Sequence, residues 1–272
     1  MMGKIIGIYG AQRGLGATTI GQSLTKVIAN SNSKVLYIEL DYLNATFAHK
    51  TAISHPEKNI ELFMEKAILE HRMDIQKYVL KKDDIGDSKR FSWFPNNMEV
   101  LTFSKDFKEK GFPRFETGVE TKVEKFINNF ISKLKALDYD FVILQLPNQI
   151  ESIFGLPVLS KCDNIVSILT GNPIVVSKYK GITNVFKKAD FKYKEWVHVF
   201  NLCSNKVDAE DYKLLVDFDV ATCIPYDPER TEMEFSLIPG SETIDEHTKT
   251  IAKKIGCFIR NEQNRFRFLV SK

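Results

Sequence analysis

Cysteine and histidine are scarce in this sequence, and neither is clustered. The four cysteines stand far apart among 272 residues, at Cys162, Cys203, Cys223 and Cys257, and the five histidines are equally dispersed. Metal sites built from these residues need close ligand spacing, and a chain of this length needs no disulfides to stabilise its core. We therefore expect small buried thiols in a reducing cytoplasm and no cysteine or histidine metal site.

Long apolar runs, a secretory leader and a strong net charge are also missing. No window reaches the roughly 18 apolar residues of a membrane span. The opening letters MMGKIIGIYG become glycine-rich too early for a secretory signal. The formal net charge of +3 does not by itself argue for nucleic acid. These absences favour a cytoplasmic protein.

Short apolar runs rich in β-branched residues are spread along the whole chain. They are continuous rather than alternating, which is typical of strands buried on both faces of a sheet. The predicted strands are Ile5–Tyr9, Lys34–Leu40, Met98–Phe103, Asp140–Leu146, Asn164–Thr170, Val197–Leu202 and Ala221–Tyr226.

Segments with helical spacing lie between these runs; Ile20, Leu24, Val27 and Ile28, for example, share one helix face. Strands that alternate with helices predict an α/β fold, a mostly parallel sheet with helices on both faces. Ligands of such sheets bind beyond the carboxyl ends of the strands. The residues that follow each strand are therefore the candidate site.

The sequence shows no repeat, low-complexity tract or linker, so we expect one domain over residues 1–272. Residues 81–97, KKDDIGDSKRFSWFPNN, are the most loop-like segment and are predicted to form a mobile surface loop. The C-terminal tail, residues 259–272, mixes aromatic and basic side chains. Contact with the inner face of a membrane would suit that mix. A frayed or core-packed terminus is the alternative, and the alternating letters RFRF favour it.

The stretch GAQRGLGATT follows the first predicted strand and opens a helix, as a phosphate-binding loop does. Its three glycines permit backbone conformations that turn N–H groups inward as an anion nest. The alternative is a plain glycine-rich turn in which a threonine caps the helix. The predicted nucleotide-binding residues of the loop are Gly10, Ala11, Gln12, Arg13, Gly14, Leu15, Gly16, Ala17, Thr18 and Thr19.

This loop and the strand that follows it, from Lys4 to Asp41, resemble the opening of the MinD/ParA family of deviant Walker P-loop ATPases. The letters GLGATT are most similar to the CpaE/TadZ-like branch, whose members help to place pilus-type secretion machinery. The resemblance extends from Gly3 to about Phe258 and implies a three-layer P-loop NTPase-like fold.

The resemblance also implies a degenerate Walker A loop. The family carries two lysines there, and residue by residue they fall on Gln12 and Ala17. Backbone amides and Mg²⁺ could still hold ATP or ADP at reduced affinity, but hydrolysis needs the developing charge to be neutralised. Arg13 is the one cation in the loop and is either a substitute for the signature lysine or a solvated surface residue.

Two carboxylates, Glu39 and Asp41, end the second predicted strand, and alternation places them on one side of it. By resemblance, Asp41 orients the attacking water and is the candidate catalytic residue, Glu39 is an outer magnesium contact, and Asn44 belongs to the first switch segment. The alternative is a pair of acids that caps a strand end.

The central strand lacks an acid that the family has. The letters YDFVILQLPNQIE resemble the family pattern YDFVIIDTPPG, whose Asp holds magnesium through water; that position is Gln145 here, and an amide offers no charge to a dication. Pro147 and Asn148 follow as the second switch would. The implied Mg²⁺ position is therefore weakened. Its residues are Thr18, Glu39, Asp41 and Gln145.

The base pocket is implied by resemblance as well. Asn201, after the sixth strand, falls where family members bind the adenine edge, and Pro225, Tyr226 and Asp227 fall beside the base. A strand terminated by a proline-rich turn is the alternative.

These observations favour a homodimeric MinD/ParA-like positioning or assembly factor for a pilus, secretion or other envelope-associated machine, with little or no ATP hydrolysis. One alternative is a slow but genuine ParA-type ATPase in plasmid or protein segregation, which would use Arg13 and Asp41. It would bind DNA through the lysine-rich residues 175–194. Another alternative is an interaction module that binds no nucleotide.

Overall fold

The computed structural model describes residues 3–86, 89–112, 120–188 and 195–259. Within them lies one seven-stranded sheet. Its strands are β1 (Lys4–Gly10), β2 (Val35–Glu39), β3 (Met98–Leu101), β4 (Phe141–Gln145), β5 (Asn164–Leu169), β6 (Glu195–Cys203) and β7 (Val220–Pro225). The strand order is β3-β2-β4-β1-β5-β6-β7, and every neighbouring pair is parallel. The predicted α/β class and the positions of all seven strands are confirmed.

Helices connect the strands. They are α1 (Ala17–Asn30), α2 (Phe47–Thr51), α3 (Ile60–Leu69), α4 (Lys82–Ile85), α5 (Glu120–Ala136), α6 (Leu156–Leu159), α7 (Pro173–Lys188), α8 (Ala209–Lys213), α9 (Glu229–Phe235) and α10 (Glu242–Lys254). In the four described ranges, no helix combines the length and the apolar character that crossing a bilayer requires.

Both faces of the sheet are covered, because successive residues of β1 meet helices on opposite sides. Ile8 lies against Gly21 of α1 on one face. Its neighbour Gly7 faces Cys162, just beyond α6, and a Cβ on Gly7 would lie only 2.9 Å from that sulfur. The strands are therefore buried on both sides, as their unbroken apolar runs predict.

The last helix, α10, is fastened to α1 by polar contacts. Lys26 Nζ lies 2.6 Å from Asp245 Oδ2 and also donates to the carbonyl of Pro239. Ser23 Oγ donates to the other oxygen of Asp245. Because α1 continues directly from the loop after β1, these contacts help to hold the start of α1 at the sheet edge.

The predictions about the cysteines, the loop and the tail can be compared with the structure. Cys203 and Cys257 are buried, and Cys162 and Cys223 are half-buried. In the segment 81–97, α4 is tied down by an ion pair of 2.6 Å between Lys58 and Asp84; residues 87–88 lie outside the described ranges, and mobility of this segment stays a prediction. Residues 260–272 of the predicted tail and residues 189–194 of the lysine-rich segment also lie outside them.

Three neighbouring strands bring their carboxyl ends together at one edge of the sheet. In the register of β2, β4 and β1, Glu39 pairs with Gln145 and Gln145 pairs with Ile8. The loop after β1 therefore lies beside the residues that follow β2 and β4, as the rule for parallel sheets requires.

His198 of β6 makes stability depend on pH. Its ring stacks on Phe218 at 3.9 Å, and Nδ1 lies 3.1 Å from the carbonyl oxygen of Asp219. Burial lowers the pKa of His198 to about 4, although the Asp219 contact raises it. In the unfolded chain the pKa is about 6.5, so between the two values the unfolded state binds more protons, and the His198 contribution is lost as pH falls through this window.

We expect His198→Asn to remove this dependence. Between pH 7 and pH 5 the free energy of unfolding of the wild type should fall by about 2 kcal/mol relative to the variant. Urea denaturation at several pH values measures the difference. Carboxylates that titrate in the same range are present in both proteins, so their contribution to the free energy of unfolding cancels in the comparison. Parallel curves for the two proteins would contradict the expectation.

Candidate functional site

The loop between β1 and α1 has the backbone of a phosphate nest. Gly14 and Gly16 have φ of 82° and 85°, in the left-handed region that favours glycine. Gly16 is constrained further, since a Cβ there would lie 2.2 Å from Asn201 Nδ2, whereas a Cβ on Gly14 would meet open space. Two glycines of the predicted motif are thus required by backbone conformation, and one of them also by close packing.

The loop surrounds a cavity of about 110 Å³, which is open on one side. That volume suits a phosphate-sized group, since whole-ligand pockets are about 300 Å³ or more; the rest of a nucleotide would lie along the open side. The lining residues are Gly10, Gln12, Arg13, Gly14, Leu15, Gly16, Ala17, Thr18, Thr19, Asp41, Asn44, Thr46, Lys50, Gln145, Leu146 and Asn148. The structure thus brings together nine of the ten predicted loop residues, the exception being Ala11, which is buried in the core.

The two carboxylates at the end of β2, Glu39 and Asp41, have different surroundings. Glu39 Oε1 accepts hydrogen bonds from the backbone N–H groups of Thr46 and Phe47, at 2.7 and 2.9 Å. Burial raises the pKa of Glu39 to about 7 against the effect of these donors. Glu39 does not line the cavity, and its carboxylate holds the start of α2. Its role as an outer magnesium contact stays a prediction.

Asp41 does line the cavity. Burial raises its pKa to about 6, although the Arg13 guanidinium lowers it. The residue as a whole is 5% exposed, and Oδ1 has no hydrogen-bond partner among the described residues. A buried carboxylate oxygen without a donor fits a site for a cation or a water molecule.

Two amide oxygens, one at the end of β4 and one just after it, are also without a hydrogen-bond partner in the described ranges. Gln145, 3% exposed, and Asn148 both line the cavity, and the amide oxygen of each lacks a partner within the described part of the chain. Asp41 and Thr18 also line the cavity, so its wall carries hard oxygen donors of the kind that Mg²⁺ prefers. Pro147 does not line the cavity, whereas Asn44, predicted for the first switch, does.

The predicted base-binding residues are not in the cavity. Asn201 lies within β6, not after it, and its Nδ2 donates to the carbonyl oxygen of Leu15 at 2.8 Å. Asn201 therefore supports the phosphate loop, and its predicted contact with adenine stays a prediction. The sequence predicted its place near the loop but not its contact with Leu15.

The turn after β7 is built largely by its own contacts. Asp227 accepts from the backbone N–H of Glu229 and, at 2.5 Å, from the hydroxyl of Ser241. Pro225 ends β7, and Tyr226 is 58% exposed. None of the three lines the cavity. Their contact with a base stays a prediction.

Two cations near the cavity have no counterpart in the sequence motifs. Lys50 of α2 lines the cavity, and Arg230 of α9 donates to Thr19 Oγ1 at 3.2 Å. The loop cation Arg13 donates to the carbonyl oxygen of Leu43 at 2.6 Å. In the sequence, Lys50 could be suspected only from the general rule that residues after one strand of a parallel sheet lie near the loops after its neighbours.

Known proteins share the fold of this chain. A family model described as an AAA domain matches residues 3–194. The chain belongs to this AAA-domain family. A comparison with curated proteins found no match.

Solved structures share the fold of this AAA-domain chain along nearly its whole length. One is the septum site-determining protein MinD of Pyrococcus horikoshii OT3 complexed with Mg-ADP, with 17% identity, 94% of this chain and 98% of that chain covered, and a TM-score of 0.68. The cell division ATPase MinD of Pyrococcus furiosus has 17% identity, coverage of 93% and 99%, and a TM-score of 0.69. A ParA family ATPase of Chlorobium tepidum TLS has 13% identity, coverage of 93% and 96%, and a TM-score of 0.65. At these identities the likeness establishes the MinD/ParA fold.

Proposed function

We propose that this AAA-domain protein is a MinD/ParA-like positioning or assembly factor that binds ATP or ADP with Mg²⁺ at reduced affinity, with little or no hydrolysis. One observation carries the proposal. The cavity keeps the glycine backbone and the buried oxygen donors of a nucleotide site, but neutral side chains stand at Gln12, Ala17 and Gln145.

The chain's own groups suit each part of such a ligand. The backbone N–H groups of the loop would hold phosphate oxygens at the start of α1, where the helix dipole also favours negative charge. Thr18, Asp41 and Gln145 would hold Mg²⁺, which supplies positive charge to the phosphates. Asp41 would orient a water molecule.

The same geometry supports slow hydrolysis. Transition-state charge on a transferred phosphoryl group is neutralised by cations in P-loop ATPases. The two positions that would carry lysines, Gln12 and Ala17, line the cavity without charge. A loss of several kcal/mol of stabilisation corresponds to roughly a thousandfold or more in rate.

Calorimetric titration with Mg-ADP, followed by an assay of phosphate release from Mg-ATP, tests this function. We expect binding weaker than about 1 µM but detectable below about 1 mM, together with phosphate release at the background rate. No heat and no thermal shift at millimolar nucleotide would instead favour an interaction module without nucleotide.

A slow ParA-type ATPase is the second candidate, and the unpartnered oxygen of Asp41 in the cavity favours it. Under this alternative, phosphate release exceeds background and is abolished by Asp41→Ala. Under the leading proposal, Asp41→Ala leaves the release rate unchanged. The same samples, tested for DNA binding at several salt concentrations, would show a steep salt dependence if the segregation role holds.

For the assembly role we propose two partners: a second copy of this chain, and an unidentified protein of a pilus, secretion or other envelope-associated machine. The MinD/ParA fold and the GLGATT loop support this choice. Light scattering with and without Mg-ADP tests the homodimer, and flotation with anionic vesicles tests contact with a membrane surface.

A further inference from the structure

Three charged side chains from two distant helices meet beside the cavity. Lys50 Nζ of α2 lies 3.3 Å from Glu234 Oε1 of α9, and Arg230 Nη2 lies 3.3 Å from the same oxygen. Two cations thus share one carboxylate oxygen, so the cluster carries a net positive charge.

The two cations occupy different places relative to the site. Lys50 lines the cavity, and 29% of its side chain is exposed. Arg230 lies outside it, with 17% of its side chain exposed, and donates to the hydroxyl of Thr19 in the first turn of α1. Lys50 is therefore the cation placed to reach a bound anion, whereas Arg230 joins α9 to the start of α1.

The remaining cation of the cavity is less well placed for that task. Arg13 lies on the exposed side of the loop, and its Nη2 already donates to the carbonyl of Leu43. Gln12 and Ala17 bring no charge. The cavity's other charged side chain is Asp41, which repels an anion and suits Mg²⁺.

We propose that Lys50 binds the phosphate oxygens of a nucleoside di- or triphosphate in this cavity, supplying the charge that Gln12 and Ala17 do not bring, and that Glu234 competes with these oxygens for the Lys50 ammonium group. The inference rests on the proposed nucleotide binding. It assigns to Lys50 a phosphate contact that neither Gln12 nor Ala17 can make with a charged group. Lys50 comes from a helix after β2, not from the phosphate loop.

Opposite effects of two substitutions test the proposal. Lys50→Met keeps the length of the side chain and removes its charge, so the Kd for Mg-ADP should rise about tenfold to a hundredfold. Glu234→Gln keeps an acceptor oxygen and removes the competing negative charge. Because the anion then meets a more positive cavity, its Kd should fall about twofold to fivefold. If the ion pair between α2 and α9 were only structural, its loss would weaken binding in both variants.

The chain offers a matched control. Lys58 has a side chain of similar exposure, 31%, in an ion pair with Asp84, and does not line the cavity. Lys58→Met should leave the Kd unchanged. Lys50→Arg, which keeps the positive charge, should keep most of the wild-type affinity that Lys50→Met loses. Thermal melting of each variant reports whether it is folded, and inorganic pyrophosphate as a second ligand isolates the phosphate contact.

The outcomes separate this inference from the function on which it rests. Failure of the wild type to bind Mg-ADP and pyrophosphate overturns both. Binding by the wild type that is equal in folded Lys50→Met overturns the role of Lys50 and leaves nucleotide binding intact. Weaker binding in both Lys50→Met and Glu234→Gln shows a structural ion pair only, which also overturns the role.

Discussion

Substitution of Ala17 by lysine is expected to raise the affinity for Mg-ADP about tenfold to a hundredfold, because it adds a charge-assisted hydrogen bond to the phosphates. Ala17 is the first residue of α1 and lines the cavity, so a longer side chain can extend into that space. Calorimetric titration measures the change. Ala17→Met is the control, since it adds similar length without charge and should not tighten binding.

The triple variant Gln12→Lys, Ala17→Lys and Gln145→Asp should gain hydrolysis. The three changes introduce the two cations and the carboxylate that the resemblance to MinD/ParA ATPases implies at these positions. If several kcal/mol of transition-state stabilisation returns, phosphate release should rise by roughly a thousandfold. A triple variant that binds Mg-ATP tightly and releases no more phosphate than the wild type would show that the slow step lies elsewhere in the site.

Replacement of Gly16 by alanine is expected to disable the phosphate loop. Its φ of 85° costs an L-residue about 1–2 kcal/mol. The new Cβ would also displace the Asn201 amide from the carbonyl of Leu15, which adds about 1–3 kcal/mol. We expect a loss of about 2–5 kcal/mol in the free energy of unfolding, a fall in the melting temperature of about 5–15 °C, and no detectable binding of Mg-ADP.

Gly14→Ala is the matched control for this prediction. Its φ of 82° imposes nearly the same backbone strain, but its Cβ would have nothing within 4 Å. The expected loss is therefore about 1–2 kcal/mol, from the backbone alone. Differential scanning calorimetry and titration with Mg-ADP compare the two variants. Equal losses would mean that the contact between Asn201 and the loop is unimportant.

Much of the fold was predictable because its signals are local. A strand buried on both faces must be apolar at nearly every position, so each of the seven runs is visible without knowledge of its neighbours. The loop was predictable for a similar reason. Gly14 and Gly16 adopt backbone conformations that other residues rarely adopt, and their spacing between a strand and a helix marks the turn.

The uses of individual polar side chains were less predictable. Glu39 and Asp41 look equivalent in the sequence, yet Glu39 caps the start of α2 while Asp41 faces the cavity. Asn201 was predicted to contact a base, and the structure adds a contact that the sequence did not predict: its Nδ2 donates to the carbonyl oxygen of Leu15, 186 residues away. A side chain's hydrogen-bond partner depends on which backbone groups the fold leaves unpaired nearby, and no short window of sequence contains that information.

The amino-acid sequence alone specified the α/β class, the order of strands and helices, the place of the phosphate loop and the absence of charge at Gln12, Ala17 and Gln145. Each of these depends on residue type and local spacing. Only the tertiary structure placed Lys50 in the cavity and brought Arg230 to Thr19, 211 residues away in the chain. Parallel strands gather distant loops at one edge of the sheet, so a lysine on another element can lie beside a loop that is neutral at positions 12 and 17.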